Sequence, residues 1–136
     1  MDFSRYINIP YKLKGRDFSG CDCYGLIYLI FKTEKGITLP DFYNIDYKED
    51  WHKEGKNFIL DAAGTLDKEV WSVVEEPYKL FDCLIFFLAS KKIANHCGMY
   101  IGSNKFIHVY DSVSCIHYLD RSPARIYGAM RYKGLV

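Results

Sequence analysis

The stretch Gly20-Cys21-Asp22-Cys23-Tyr24-Gly25-Leu26-Ile27-Tyr28-Leu29-Ile30-Phe31 decides how this chain is to be read. Its apolar positions Leu26, Ile27, Leu29, Ile30 and Phe31 recur at spacings of three and four, which predicts a helix from residue 23 to about residue 35 with one or two buried faces. Asp22 stands just before that run, where its carboxylate can accept from the unpaired N–H groups of the first turn, so it reads as the N-cap. Gly36 can take the left-handed conformation that ends a helix, and Pro40 follows it. The helix is bounded on both sides, and Cys23 opens it.

A sulfur at that place faces the positive end of the helix dipole, which favours thiolate over thiol. A thiolate is the attacking species in acyl transfer, and free N–H groups of the same turn can hold the oxyanion that forms. An isolated cysteine at a helix start is more commonly a small buried residue. The rest of the chain therefore has to supply a base.

Two histidines answer that need. Asn95-His96-Cys97-Gly98-Met99-Tyr100-Ile101-Gly102 is followed by Lys105-Phe106-Ile107-His108, which reads as a hairpin. Its loop parity decides whether the two imidazoles can cooperate. A three-residue loop Gly102-Ser103-Asn104 pairs Ile101 with Lys105 and Gly98 with His108, putting His96 and His108 on one face as diagonal neighbours roughly 7–8 Å apart. A two-residue loop Ser103-Asn104 pairs Met99 with His108 and sends the rings to opposite faces. A catalytic site requires the odd loop, with Gly98 leaving room for one ring to reach the other. His52 and His117 read as ordinary polar residues.

The remaining segments place this hairpin. Residues 1–20 read as an irregular arm, and residues 41–69 as a polar insertion or lid with a short helix at about 56–63. Runs at 70–74, 83–88, 97–101, 106–110 and 116–119 read as strands. A helix followed by antiparallel strands gives the α+β class, and 136 residues fit a single domain spanning 1–136.

Composition removes several functions. With a net charge of +1 and no basic run longer than Lys91-Lys92, a phosphate-tracking surface is not expected, so neither nucleic acid nor a membrane surface is a partner. The longest apolar run, from Cys83 to Ala89, is too short to span a bilayer, and residues 1–17 hold no apolar signal core. Synthesis in the cytoplasm is the expectation. Five cysteines, an odd count, argue against a disulfide framework and for free thiols. A zinc set of Cys21 and Cys23 with His96, Cys97 or His108 is disfavoured, because Cys-x-Cys is not the common ligand spacing and Cys97 alternates away from His96. No metal or cofactor is expected.

Taken together these segments resemble the NlpC/P60 family of papain-like cell-wall peptidases. Asp22-Cys23-Tyr24-Gly25-Leu26 is similar to that family's Asp-Cys-Ser-Gly-Leu segment, and His96-Cys97-Gly98-Met99-Tyr100-Ile101-Gly102 to its His-Val-Gly-Ile-Tyr-Leu-Gly strand. Phe106-Ile107-His108 resembles the stretch with the third polar residue, and Phe81-Asp82-Cys83-Leu84-Ile85-Phe86-Phe87 the strand Gly-Asp-Leu-Val-Phe-Phe. The resemblance runs from about residue 11 to residue 110. It implies a papain-like fold in which the N-terminal helix carries the nucleophile on an antiparallel sheet. It also implies Cys23 as nucleophile, His96 as general base and then acid, and His108 as the residue orienting His96. Tyr11 matches a tyrosine of the oxyanion or substrate site, to which Asp22 is also assigned.

The implied substrate is the peptide stem of peptidoglycan, cleaved through a thioester without metal. Three departures stand out: Tyr24 for a small residue, Phe81 for glycine, and Gly36-Ile37-Thr38-Leu39-Pro40 followed by an acidic insertion, a pattern closer to phage tail-associated members. The last implies a virion-borne wall hydrolase that acts at the host wall and contacts other tail-tip proteins. Alternatives from the same residues are another papain-like amidase or acyltransferase, and a structural tail-tip component without activity.

Overall fold

A computed structural model of the chain describes residues 1–40, 71–87, 96–122 and 125–134. The expected insertion or lid at 41–69, with its short helix, lies outside the described residues. A small hairpin of β1 (Arg16–Asp17) and β2 (Gly20–Cys21) leads into helix α1 (Cys23–Ile30). Strands β3 (Trp71–Val74), β4 (Cys83–Phe87), β5 (His96–Gly102), β6 (Lys105–Tyr110), β7 (Val113–Tyr118) and β8 (Arg125–Tyr132) form one sheet in the order β3-β8-β4-β5-β6-β7. Every neighbouring pair in it is antiparallel. Among the described residues one main helix lies on a large antiparallel sheet, the α+β class that the order of sequence patterns predicts.

Helix α1 begins at the cap expected from sequence, and the helical segment it opens ends at the expected Gly36. Asp22 accepts from the Gly25 N–H at 2.8 Å. After Ile30 the chain continues as one π-helical turn, Phe31–Lys35, and Gly36 closes it at φ 66° with its N–H donated to the Lys32 carbonyl. The turn carries the Phe31 ring into a nest of Trp71, Phe81 and Tyr132, with ring centroids 5.8–6.0 Å away. Phe31 is fully buried there, and truncating such a ring costs about 3–5 kcal/mol.

The two faces of the sheet do different things. Leu26, Ile27, Ile30 and Phe31 pack on Cys97, Met99, Ile107 and Val109, while Leu84, Phe86, Phe106 and Ala129 form a second cluster. Alternation along β5 sends Cys97 and Met99 to the helix. His96, at the start of that strand, instead meets Phe86, ring centroids 5.8 Å apart.

The N-terminal arm fixes where the helix starts. Asn8 N–H donates to the Ser114 carbonyl at 2.9 Å, Ser114 N–H to the Ile9 carbonyl at 2.9 Å and Tyr11 N–H to the Ser112 carbonyl at 2.8 Å. The arm thus covers part of the β7 edge. On its other side Cys21 N–H donates to the Pro10 carbonyl at 3.1 Å, and Lys12 N–H to the Cys21 carbonyl at 3.1 Å. Cys23, two residues on, is tied through this arm to the sheet's β7 edge.

Two expectations need correction. Strand β8 was not foreseen, although it lies inside the sheet between β3 and β4. Its pairing slips between Ile85↔Gly128 and Phe86↔Ile126, so Tyr127 is an extra residue that breaks the two-residue alternation a strand is read from. The β5–β6 turn is also shorter than the three residues expected for a catalytic pair. Gly102 pairs with Lys105, leaving Ser103 and Asn104 as a two-residue turn with φ of 54° and 61°.

Candidate active site

The two-residue turn does not separate the histidines, because a bulge undoes its parity. Ile101 and Gly102 together oppose Lys105, with Gly102 at φ 90°, and the ladder resumes at Tyr100↔Phe106 and Met99↔Ile107. That register brings Gly98 opposite His108, the arrangement a three-residue loop would have produced. Nε2 of His96 lies 2.7 Å from Nδ1 of His108. A Cβ built on Gly98 would stand 3.1 Å from the His108 Cβ and 3.0 Å from the Ile107 carbonyl oxygen. Glycine there keeps the passage between the rings open.

The chain of rings does not stop at His108. Its Nε2 lies 2.7 Å from Nδ1 of His117, which is thus more than the ordinary polar residue expected from sequence. The missed signal is the Asp111-Ser112 turn, with φ of 54° and 77°, which sets His108↔Cys115 and Phe106↔His117 and so puts His117 on the same face. His96 and His108 are buried, and His117 is half-buried. Burial, reinforced by the neighbouring charges of His96 and His117, pushes His108 down to about 2, so it is neutral.

Cys23 is half-buried at the first position of α1. Its thiol is lowered to about 5, first by a hydrogen bond from Cys97, then by the hydrogen bond and charge of His96, against burial and the Asp22 carboxylate. The helix dipole alone would not supply the first of these. Cys97 is raised well above its ordinary value because it is the donor to Cys23 and is itself buried. With Nε2 of His96 held by His108, Nδ1 is the nitrogen left for Cys23. Cys21, the other cysteine of this segment, is pushed up to about 12 by burial and the adjacent Asp22.

Asp22, expected in the oxyanion or substrate site, stands at the start of the helix with its carboxylate turned inward. Its buried carboxylate accepts from Gly25 N–H at 2.8 Å, Lys14 N–H at 2.9 Å and the Arg16 guanidinium at 2.8 Å. These bonds make Asp22 the builder of the helix start. Gly25 belongs to the same device, since a Cβ on it would fall 1.9 Å from the Gly15 carbonyl oxygen. Tyr11 is bridged to Cys21 in parallel fashion and packs against the helix-side core.

The sequence model described as the NlpC/P60 family matches residues 8–125. The chain belongs to the NlpC/P60 family. Its fold is similar to the NlpC/p60 domain of the peptidoglycan hydrolase SagA, at 18% identity and a TM-score of 0.56, over 93% of this chain and 90% of that one. It is also similar to an NlpC/P60 family protein from Bacillus cereus ATCC 10987, at 23% identity and a TM-score of 0.60, and to NlpC2 from Trichomonas vaginalis, at 18% and 0.60. The chain spans 36% and 43% of those two. At these identities the likeness is one of fold, and the fold is the papain-like one that the sequence motifs imply. No curated protein sequence matches.

Within the NlpC/P60 pattern the departures now have physical consequences. Phe81, where the family pattern has glycine, sits at φ 74°, the left-handed region that explains a glycine there. The phenyl ring is buried against Phe3 and Phe31. Asp82, which follows, is fully buried and receives two parallel hydrogen bonds of 2.8 Å from Arg131, fastening β8 to the start of β4. Tyr24, in place of a small residue, donates its hydroxyl to the Pro40 carbonyl at 2.6 Å. Cys97 replaces the family valine and is the donor to Cys23.

Proposed function

We propose that this chain is a cysteine peptidase that hydrolyses peptide-stem bonds of bacterial peptidoglycan. The observation that carries the reading is the continuous line Cys23, His96, His108, in which a thiol lowered to about 5 meets a buried, hydrogen-bonded imidazole. The relative named as a peptidoglycan hydrolase directs the choice of substrate.

In this reading the Cys23 thiolate attacks the scissile carbonyl carbon, and the tetrahedral oxyanion forms at the helix start. Gly25 N–H is engaged by the Asp22 side chain and Leu26 N–H by the Asp22 carbonyl. The oxyanion therefore falls to the N–H groups of Cys23 and Tyr24, with the Tyr11 hydroxyl assisting. His96, protonated at Nδ1, gives that proton to the departing amine and leaves a thioester on Cys23. It then takes a proton from water as the water attacks the thioester, releasing the acid and restoring the thiolate. His108 accepts from His96 Nε2–H throughout and holds the ring.

The test is incubation of purified protein with muropeptides, followed by mass spectrometry of the products. The expected result is a hydrated cleavage pair from a stem peptide, absent with Cys23→Ala. Intact stems alongside transfer of an acyl ester would replace the peptidase reading with an acyltransferase one. For delivery we propose carriage on a phage tail, supported by the sequence pattern at Gly36 to Pro40. Absence of the protein from purified tails of the source phage would remove that part.

A further inference from the structure

On the hairpin of β6 and β7, His108 and Cys115 are direct cross-strand partners, and His117 follows two residues later on the same face. The ligand atoms of these three side chains lie within 4.8 Å of one another. His108 is buried behind them, whereas Cys115 and His117 are half-buried. Two imidazoles and a thiol are the donor set of a zinc-class ion, with a fourth position left to solvent. We infer that His108, Cys115 and His117 form a binding site for a divalent zinc-class ion, and that filling it switches off His96 as a base.

The geometry asks for little movement. Tetrahedral Zn–N bonds of about 2.0–2.1 Å separate two nitrogens by roughly 3.3 Å, against the 2.7 Å between His108 Nε2 and His117 Nδ1. His117 lies on β7, the last strand of the sheet, so this half-buried ring can withdraw by that amount. The Cys115 thiol loses its proton to solvent on binding, and its sulfur supplies an electron pair to the metal.

The switch follows from where each ring carries its hydrogen. In the working site His96 donates Nε2–H to Nδ1 of His108, so neutral His108 carries its hydrogen on Nε2 and donates it to Nδ1 of His117. A metal on His108 Nε2 needs that lone pair, and the hydrogen of His108 moves to Nδ1. Now His108 is the donor and His96 Nε2 the acceptor. The single hydrogen of neutral His96 must then sit on Nδ1, the nitrogen facing Cys23, where no lone pair remains to take a proton from water. The inhibition rests on the peptidase reading; the binding does not.

The test therefore begins with binding. Zn²⁺ is titrated into the full-length Cys23→Ala protein, which cannot hold metal on the nucleophile. One ion per chain is expected, with affinity reduced at least about tenfold by adding either Cys115→Ser or His117→Gln. Two independent variants guard against one that misfolds. No zinc on Cys23→Ala, or affinity unchanged by both additions, would overturn the site. In the second arm zinc suppresses stem-peptide cleavage by the wild-type chain, and chelator restores it. Cys115→Ser alone keeps basal activity and needs at least about tenfold more zinc for the same suppression. Equal zinc sensitivity of Cys115→Ser and wild type would overturn the switch and place the inhibitory metal on Cys23.

Discussion

His108 Nε2 and His117 Nδ1 stand 2.7 Å apart, so the imidazole that holds His96 is itself held by a third imidazole. A hydrogen on His108 Nε2 is needed if its Nδ1 is to accept from His96. His117, by accepting that hydrogen, selects the required tautomer. In the proposed mechanism His117 acts on His96 through His108.

Replacing His117 by alanine is expected to lower kcat for stem-peptide cleavage about tenfold with KM little changed. His117→Gln, which keeps an acceptor oxygen, should recover part of the loss. The measurement is steady-state kinetics on one defined stem peptide. Wild-type kcat in His117→Ala would mean that the orienting chain ends at His108.

Cys97→Val restores the family residue and removes the donor that contributes most to lowering the Cys23 thiol. The pH midpoint for alkylation of Cys23 is expected to rise from about 5 toward the ordinary thiol value. The same loss brings the folded thiol toward its unfolded value, so the melting temperature should fall as well, most at alkaline pH where the thiolate contributes its full stabilisation. Iodoacetamide rates across pH read the first quantity and calorimetry the second. An unmoved midpoint would return the lowering to His96 and the helix start alone.

The same thiol links stability to pH. Its folded value, about 5, lies below the 9.0 of an unperturbed thiol, so the unfolded chain takes up the proton first as pH falls. The stabilisation is complete above 9.0, declines through the window between 9.0 and about 5, and is gone below it. The melting temperature of the wild type relative to Cys23→Ala should therefore fall across that window in reducing buffer. A difference independent of pH would show that Cys23 does not fold as a thiolate.

Phe81 sets two terms against each other. Its left-handed backbone at φ 74° costs about 1–2 kcal/mol, whereas losing a buried phenyl costs about 3–5 kcal/mol. Packing wins, so Phe81→Gly is expected to destabilise by about 1–4 kcal/mol even though it restores the family glycine. Urea unfolding checks the sign. A more stable glycine variant would mean that the ring contributes less than its backbone strain.

Much of this protein is legible in the order of its residues. The spacing of Leu26, Ile27, Leu29, Ile30 and Phe31, bounded by Asp22 and Gly36, determined the helix because caps and periodicity are local. Alternation located most strands of the sheet for the same reason. Strand β8 stayed hidden because the bulge at Tyr127 breaks that alternation, and it is recognised only by its partners in β3 and β4.

Cys23, His96 and His108 were legible as candidates, but their meeting was not. The sequence pointed to an odd loop at Gly102, and the chain instead reached the same register with a tight turn and a bulge, two routes that no local pattern separates. Only tertiary structure decided that Cys97 donates to Cys23, that Asp22 faces inward and that His117 completes the imidazole line. Each of these depends on which side chains distant segments bring within hydrogen-bonding reach, and that distance is a property of the packed sheet and helix together.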